Sequence, residues 1–480
     1  MSSRPVRVGI VVALLMVLVA ACAPTFATGS ALRATKLGPL VKLSWDIATD
    51  GDAGQTIARY QIEVDGVAVG SINAPSRACV LTGLLPSRTY SLSVTAYDSA
   101  NEWSGPSASG RLTKSYRTPS TGGAGPTVAC VAATDTDADR LPNAVENNNG
   151  IYANAASTGT NPNVADTDVD GLRDGDEVLG TTAGLNLPAM GARALKKNLI
   201  FEFDWFNDNL DPGTCGAHSH RPTAGAIGRL TTAFANAPVS NPDGTTGVKV
   251  ISDYGQGGAF TGGNLVADAD GVIAGGVDDT DFAAIKSANF ASNRRSYVHY
   301  VLNPHRYDTD GNSSGQAEIN GNDLVVSLYC FGSDVNVANT IMHEVGHNLG
   351  LRHGGNLNTN NKPNYNSVMN YDYQFPGVDT NCVLGGDGRL DYSTGSRASL
   401  NESALSETAG LCNGVDIDWN GNSSIDAGTV VADINDGDGF FQILADYNDW
   451  SNLNLGGVTE ADGSPLARQE IVTEQPVPVN

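Results

Sequence analysis

Between residues 37 and 113, apolar side chains recur at every second position: Val41, Leu43 and Trp45, then Tyr60, Ile62 and Val64, then Leu92, Val94 and Ala96. Successive residues of a strand point to opposite faces, so this alternation predicts half-buried β-strands and an all-β domain. Residues 115–126 lose the pattern and are rich in Ser, Thr, Gly and Pro, which predicts a linker running on to residue 133. Beyond it the pattern changes. Residues 199–205 read as a buried strand, residues 224–237 as a helix, and residues 248–251, 297–302 and 324–328 as further strands. Then Ala338, Ile341, Met342, Val345 and Leu349 recur at helical spacing and, at about 100° per residue, share one side of a helix.

That last helix carries the chemistry. It contains His343-Glu344-Val345-Gly346-His347 and leads on to Gly350 and His353, the pattern HExxHxxGxxH. Helical residues four apart share a face, so His343 and His347 can present imidazoles to one metal ion while the apolar stripe is buried. Glu344 lies beside the first ligand and can reach a metal-bound water without ligating the metal. Gly350 can take the left-handed conformation that ends a helix, letting the chain reverse and bring His353 back as a third ligand. Three imidazoles leave one tetrahedral position open, which is the catalytic rather than the structural pattern for zinc.

A second motif follows at Asn366-Ser367-Val368-Met369-Asn370-Tyr371, and the two together resemble the metzincin metallopeptidases. The resemblance implies an α+β catalytic domain over residues 194–455, with Met369 in the tight turn beneath the metal. It implies that Tyr371 approaches the metal or the tetrahedral intermediate, as in the astacin and serralysin branches. An edge strand above the cleft, on which an extended substrate pairs, is also implied; residues 316–320 are the candidate by order. In the N-terminal region, residues 84–90 (Leu-Leu-Pro-Ser-Arg-Thr-Tyr) look like the turn before a tyrosine corner at Tyr90. With Trp45 they make residues 35–114 similar to a fibronectin type III domain of seven strands, which implies a spacer or adhesion module. The expected fold is therefore multidomain: an all-β fibronectin III-like sandwich, then an α+β metzincin-like catalytic domain, then a tail at residues 456–480.

Residues 134–180 hold two acidic repeats. Asp135, Asp137 and Asp139 lead to Glu146, and Asp166, Asp168, Asp170 and Gly171 lead to Asp174 and Glu177. Oxygens at loop positions 1, 3, 5 and 12 with Gly at 6 match a calcium loop, and both repeats resemble thrombospondin type 3 or EF-like loops. The first has Arg140 where Gly is expected. A third stretch spaces oxygens at Asp418, Asn420, Asn422 and Asp426, but Thr429 stands at position 12, so Asp433, Asn435, Asp436 and Asp438 are candidates to complete it. The acidic insert 268–281 and the polar loop 308–312 complete no ligand set and read as surface loops. His218 and His220 form an HxH pair, read as surface histidines in preference to a second metal site; His299 and His305 receive no special reading.

Composition narrows the partners. A net charge of −24 over 480 residues argues against nucleic acid and anionic membrane surfaces. Arg4 and Arg7 precede an apolar run from Val8 to Ala21, shorter than the roughly 20 residues of a spanning helix. The run ends Leu18-Val19-Ala20-Ala21-Cys22, which resembles a bacterial lipobox, so residues 1–22 read as a lipoprotein-type signal with Cys22 the lipidated residue. Ordinary secretion is the alternative; a lipid on Cys22 would be the sole membrane attachment. The other six cysteines favour disulfides in an oxidising compartment, Cys382 with Cys412 first among them and Cys215 in one rather than as a zinc-blocking thiolate. The function expected is an exported zinc endopeptidase acting on proteins or peptides, with calcium as a structural cofactor. The alternative is a calcium-dependent adhesion or scaffold protein with a non-catalytic zinc fold.

Overall fold

A computed structural model describes residues 23–101, 103–104, 110–120, 127–207, 218–267, 271–307, 313–329, 332–412, 414–456 and 471–473. Residues 1–22, the expected signal with Cys22, and Cys215, Cys330, loop 308–312 and residues 268–270 of the acidic insert lie outside them. The chain divides into two compact units, Met1–Ala133 and Thr134–Asn480.

The first unit is an antiparallel sandwich of two four-stranded sheets. One sheet runs in the order Ala129–Ala132, Ala78–Thr82, Leu40–Trp45, Leu32–Leu37; the other runs Val67–Asn73, Ile57–Val64, Thr89–Asp98, Arg111–Arg117. All nine residues of the alternating pattern are buried between the sheets. Tyr90 makes the corner, its hydroxyl accepting the Leu85 N–H at 2.8 Å. The expected linker differs. Arg111–Arg117 runs into it, and Ala129–Ala132 pairs with Ala78–Thr82, where Cys79 and Cys130 form a disulfide. A four-residue strand this short carries little local signal; the open edge of the neighbouring strand supplies its hydrogen bonds.

The second unit is built on a six-stranded sheet of β1 (Asn198–Trp205), β2 (Lys249–Asp253), β3 (His299–Asn303), β4 (Gly315–Glu318), β5 (Asp323–Val326) and β6 (Ile471–Thr473). The order is β2-β1-β3-β5-β4-β6. The first four strands in that order are parallel, while β4 is antiparallel to β5 and β6 antiparallel to β4. The main helices are α1 (Ala224–Ala235), α2 (Thr280–Asn289) and α3 (Asp334–Asn348); among the described residues the others are short. On one face of the sheet Leu199, Phe201 and Phe203 pack with Leu230 and Phe234 of α1 and Ile341, Met342 and Val345 of α3. On the other, Ile200, Tyr300, Leu302 and Val325 pack with Phe282 of α2 and Phe290 just beyond it. A parallel sheet covered on both faces explains why β1 is a nearly continuous apolar run.

Helix α2 was not anticipated. It begins at the end of the stretch expected to be an acidic loop, capped by Asp279, whose side chain accepts the Asp281 N–H. Only Phe282 and Lys286 of it are buried, so its apolar periodicity is faint; the ion pair of Lys286 with Asp323 at 2.6 Å ties it to β5. The acidic repeats belong to this unit too: Asp170 and Glu177 accept hydrogen bonds from Asn198 at the head of β1 (3.1 and 2.6 Å from Nδ2). Cys382 and Cys412 form the expected disulfide. Among the described residues no helix is long and apolar enough to cross a membrane.

Candidate functional site

Ser333 caps helix α3 by accepting the Asn336 N–H, and just beyond the helix the chain reverses at Gly350, where φ is +94°. A side chain at Gly350 would be strained by that conformation and would stand 2.6 Å from Asn320 Oδ1. The reversal brings His353 back to the helix. Ring centroids of His343 and His347 are 5.0 Å apart, His343 and His353 5.4 Å, and His347 and His353 5.0 Å. One nitrogen of each lies within 4.8 Å of the others, and all three rings are buried.

The orientation of two of these rings is set by the backbone. His343 Nδ1 donates to the Val368 carbonyl at 2.7 Å and His347 Nδ1 to the Leu351 carbonyl at 2.8 Å. A carbonyl can only accept, so Nδ1 carries the proton in both rings and Nε2 keeps its lone pair. That tautomer suits a metal ligand, and a main-chain tether of this kind orients metal-bound histidines. The donor set therefore fits zinc. Val368 belongs to the stretch Asn366–Tyr371, so that turn orients the His343 ring. Met369 lies fully buried against the helix; a side chain at Gly346 would collide with its sulfur. Glu344 is buried on the strand side of α3, where a side chain at Gly315 of β4 would collide with Oε1. Tyr371 is half-buried, its ring 4.4 Å from His353 and 5.9 Å from His343. The three imidazoles and the Tyr371 ring thus face one another, with Glu344 buried on the same helix and Met369 buried against it.

The acidic loops present a different chemistry. In each, the first aspartate accepts a backbone N–H five residues on: Asp135 from Arg140 (2.9 Å), Asp166 from Gly171 (2.9 Å) and Asp418 from Ser423 (2.7 Å). Arg140 adopts φ +85° without being glycine, so the first loop closes like the second. The structure also joins the two repeats: Asp174 of the second groups with Asp139 and Glu146 of the first, beside the groups Asp135-Asp137-Asp139 and Asp166-Asp168-Asp170. Burial, reinforced by neighbouring carboxylates, pushes the carboxyls of Asp139, Asp174 and Glu146 up to about 6, 7 and 8. Asp168 and Glu177 rise for the same two reasons. Asp168 is 1% exposed and neither of its side-chain oxygens has a hydrogen-bond partner. Carboxylates buried this way are stable when a cation coordinates them, so this donor set fits calcium.

The third stretch is closed by its own bonds. Asn420 and Asn422 donate side-chain N–H groups to Asp426 (3.1 and 2.9 Å), and buried Glu407 accepts the N–H groups of Trp419 and Asp426. Three features had no sequence signal. Carbonyl tethers such as Val368 and Leu351 have no residue type of their own, Gly346 reads as an ordinary variable position, and His305 joins His218 and His220 only through the tertiary fold. His299 Nδ1 donates to Asn348 Oδ1 (3.0 Å) and complete burial lowers its pKa to about 4, so it is a core histidine.

A fibronectin type III domain occupies residues 32–109, by match to that family. Among solved structures the chain is similar to the fibronectin(III)-like modules of Clostridium thermocellum CbhA, with 22% identity over 20% of this chain and 47% of that one and a TM-score of 0.16. It is similar to the spore cortex lytic enzyme SleM of Clostridium perfringens, with 16% identity over 21% of this chain and 28% of that one and a TM-score of 0.16. The sixth fibronectin type III domain of human fibronectin type III domain containing protein 3 matches at 19% identity over 22% of this chain and 89% of that one, with a TM-score of 0.15. The chain spans less than half the length of the first two. No curated protein matches it. The fibronectin domain and the two disulfides are compatible with an exported or extracellular protein.

Proposed function

We propose that the chain is an exported zinc-dependent endopeptidase of metzincin type, with calcium holding its acidic loops and Cys22 as the site of a lipid anchor. The observation that carries this reading is the tethered tautomer of His343 and His347 beside buried Glu344, His353 and Tyr371. Zinc held by His343, His347 and His353 would act as a Lewis acid and lower the pKa of a water towards about 7. Glu344 takes the proton of the attacking water and passes it to the leaving amine. The Tyr371 hydroxyl donates to the oxyanion that develops on the scissile carbonyl. Calcium would be held by Asp166, Asp168, Asp170 and Glu177 and by Asp135, Asp137, Asp139, Glu146 and Asp174. The bonds within the Asp418–Asp426 loop give that site less support.

The expected substrate edge needs one correction. Strand β4 is not an open edge, because β6 pairs along it at Gln316–Thr473, Ala317–Val472 and Glu318–Ile471. A substrate that adds to β4 competes with the chain's own C-terminal strand. The experiment is Glu344→Gln assayed on casein: zinc content should equal that of the wild type and hydrolysis should fall about 10²–10⁴-fold. Full turnover by this variant refutes the assigned base. A casein-inert wild type carrying zinc would favour the adhesion or scaffold reading, to which the fibronectin domain and calcium-type loops also belong.

A further inference from the structure

A second group of three histidines lies outside the motif. His218 and His220 follow β1, His305 follows β3, and Tyr329 follows β5. These three strands are adjacent and parallel, so the segments leaving their C-terminal ends meet. One nitrogen of each histidine lies within 4.8 Å of the others. His218 Nε2 and His220 Nε2 are 3.2 Å apart, and they stand 3.0 and 2.7 Å from the Tyr329 carbonyl oxygen. Tyr329 itself holds φ +48°, a conformation that large side chains seldom adopt.

Two contacts of the His220 ring do not balance as hydrogen bonds. Its Nδ1 lies 3.1 Å from the Phe206 carbonyl and its Nε2 2.7 Å from that of Tyr329. A neutral imidazole has one N–H, so one of these carbonyls faces a nitrogen lone pair. That lone pair and the carbonyl oxygen repel each other, and an electrophile lying between them relieves the clash. A cation between Nε2 and the Tyr329 oxygen removes it, accepting both lone pairs and leaving Nδ1–H for Phe206.

We propose that His218, His220 and His305, with the Tyr329 carbonyl, hold a second divalent transition-metal ion of the zinc class. Imidazole nitrogens favour zinc, copper or nickel over calcium. Two nitrogens bound at about 2.0–2.1 Å in a tetrahedral site stand about 3.3 Å apart, close to the spacing found here. The ion pins the segments leaving three neighbouring strands, a structural role independent of the peptidase reading.

The test is zinc stoichiometry of the full-length exported protein, with calcium present, in the wild type, His347→Ala and His218→Ala. Two zinc ions per chain are expected in the wild type and one in each variant, with His218→Ala still folded by circular dichroism. Equal zinc in wild type and His218→Ala overturns the site. Should His218→Ala misfold, cobalt loading of His347→Ala decides: visible bands of a low-symmetry nitrogen-oxygen site support the proposal, and their absence overturns it. Zinc that survives His347→Ala undiminished but is lost from His218→Ala would uphold this site while removing the support for the peptidase centre.

Discussion

At the histidine centre, His343 and His347 each spend their one proton on a main-chain carbonyl, whereas in the acidic loops Asp168 is just as dry and has no hydrogen-bond partner on either oxygen. The difference follows from charge. Neutral imidazoles cost little to bury once Nδ1 is satisfied, so their site can stand assembled before metal arrives. Carboxylates repel one another and lose hydration, so their loops are stable only when a proton or a cation takes up the charge. On the proposed reading the first site is preorganised and the second is coupled to its ion.

The comparison is broken most sharply at the histidines. His347→Ala should lower casein hydrolysis by about 10³-fold or more, yet leave the calcium-dependent rise in melting temperature intact. Loss of both together would mean that the two sites are not independent. The loops answer to pH in the opposite sense from ordinary salt-bridged carboxylates. Their folded pKa values stand above the unfolded value of about 4, so the native state binds more protons, and stability falls as pH rises. Without calcium, that contribution is present below about pH 4 and is lost as pH climbs through about 6, 7 and 8, the values for Asp139, Asp174 and Glu146. Melting curves in chelator should show this decline, and saturating calcium should abolish it.

Asp168→Asn sharpens the same point. In chelator it should raise the melting temperature by relieving repulsion, while in calcium it should cost up to about 2.7 kcal/mol, the stabilisation from one site at a hundredfold excess over Kd. An equal effect in both conditions would contradict a cation role. The smallest effect concerns the shared edge of β4. Deleting residues 457–480 should raise kcat/KM on peptides by a few-fold, since β6 no longer competes for the edge.

The parts of the site readable from sequence are those held by local geometry. His343, Glu344, His347, Gly350 and His353 span less than four helical turns of chain, so spacing alone places them on one face and around one reversal. The alternating strands of the sandwich were readable for the same reason, with Trp45, Tyr60 and Leu92 each on a period of two. What escaped depended on partners distant in the chain. Strands Ala129–Ala132 and β6 are defined by edges they pair with, α2 by Lys286 reaching Asp323, and the meeting of His305 with His218 and His220 by three parallel strands ending together. Grouping of Asp174 with Asp139 and Glu146 likewise needs two repeats folded onto each other, which neither repeat announces alone.

The most direct measurement is hydrolysis of casein by the purified mature protein after a zinc-selective chelator has stripped it in calcium-containing buffer, and again after zinc is restored. Activity should vanish on stripping and return with zinc while the fold, followed by circular dichroism, stays unchanged. Undiminished hydrolysis by the stripped protein, or none when zinc is replaced, would contradict the account.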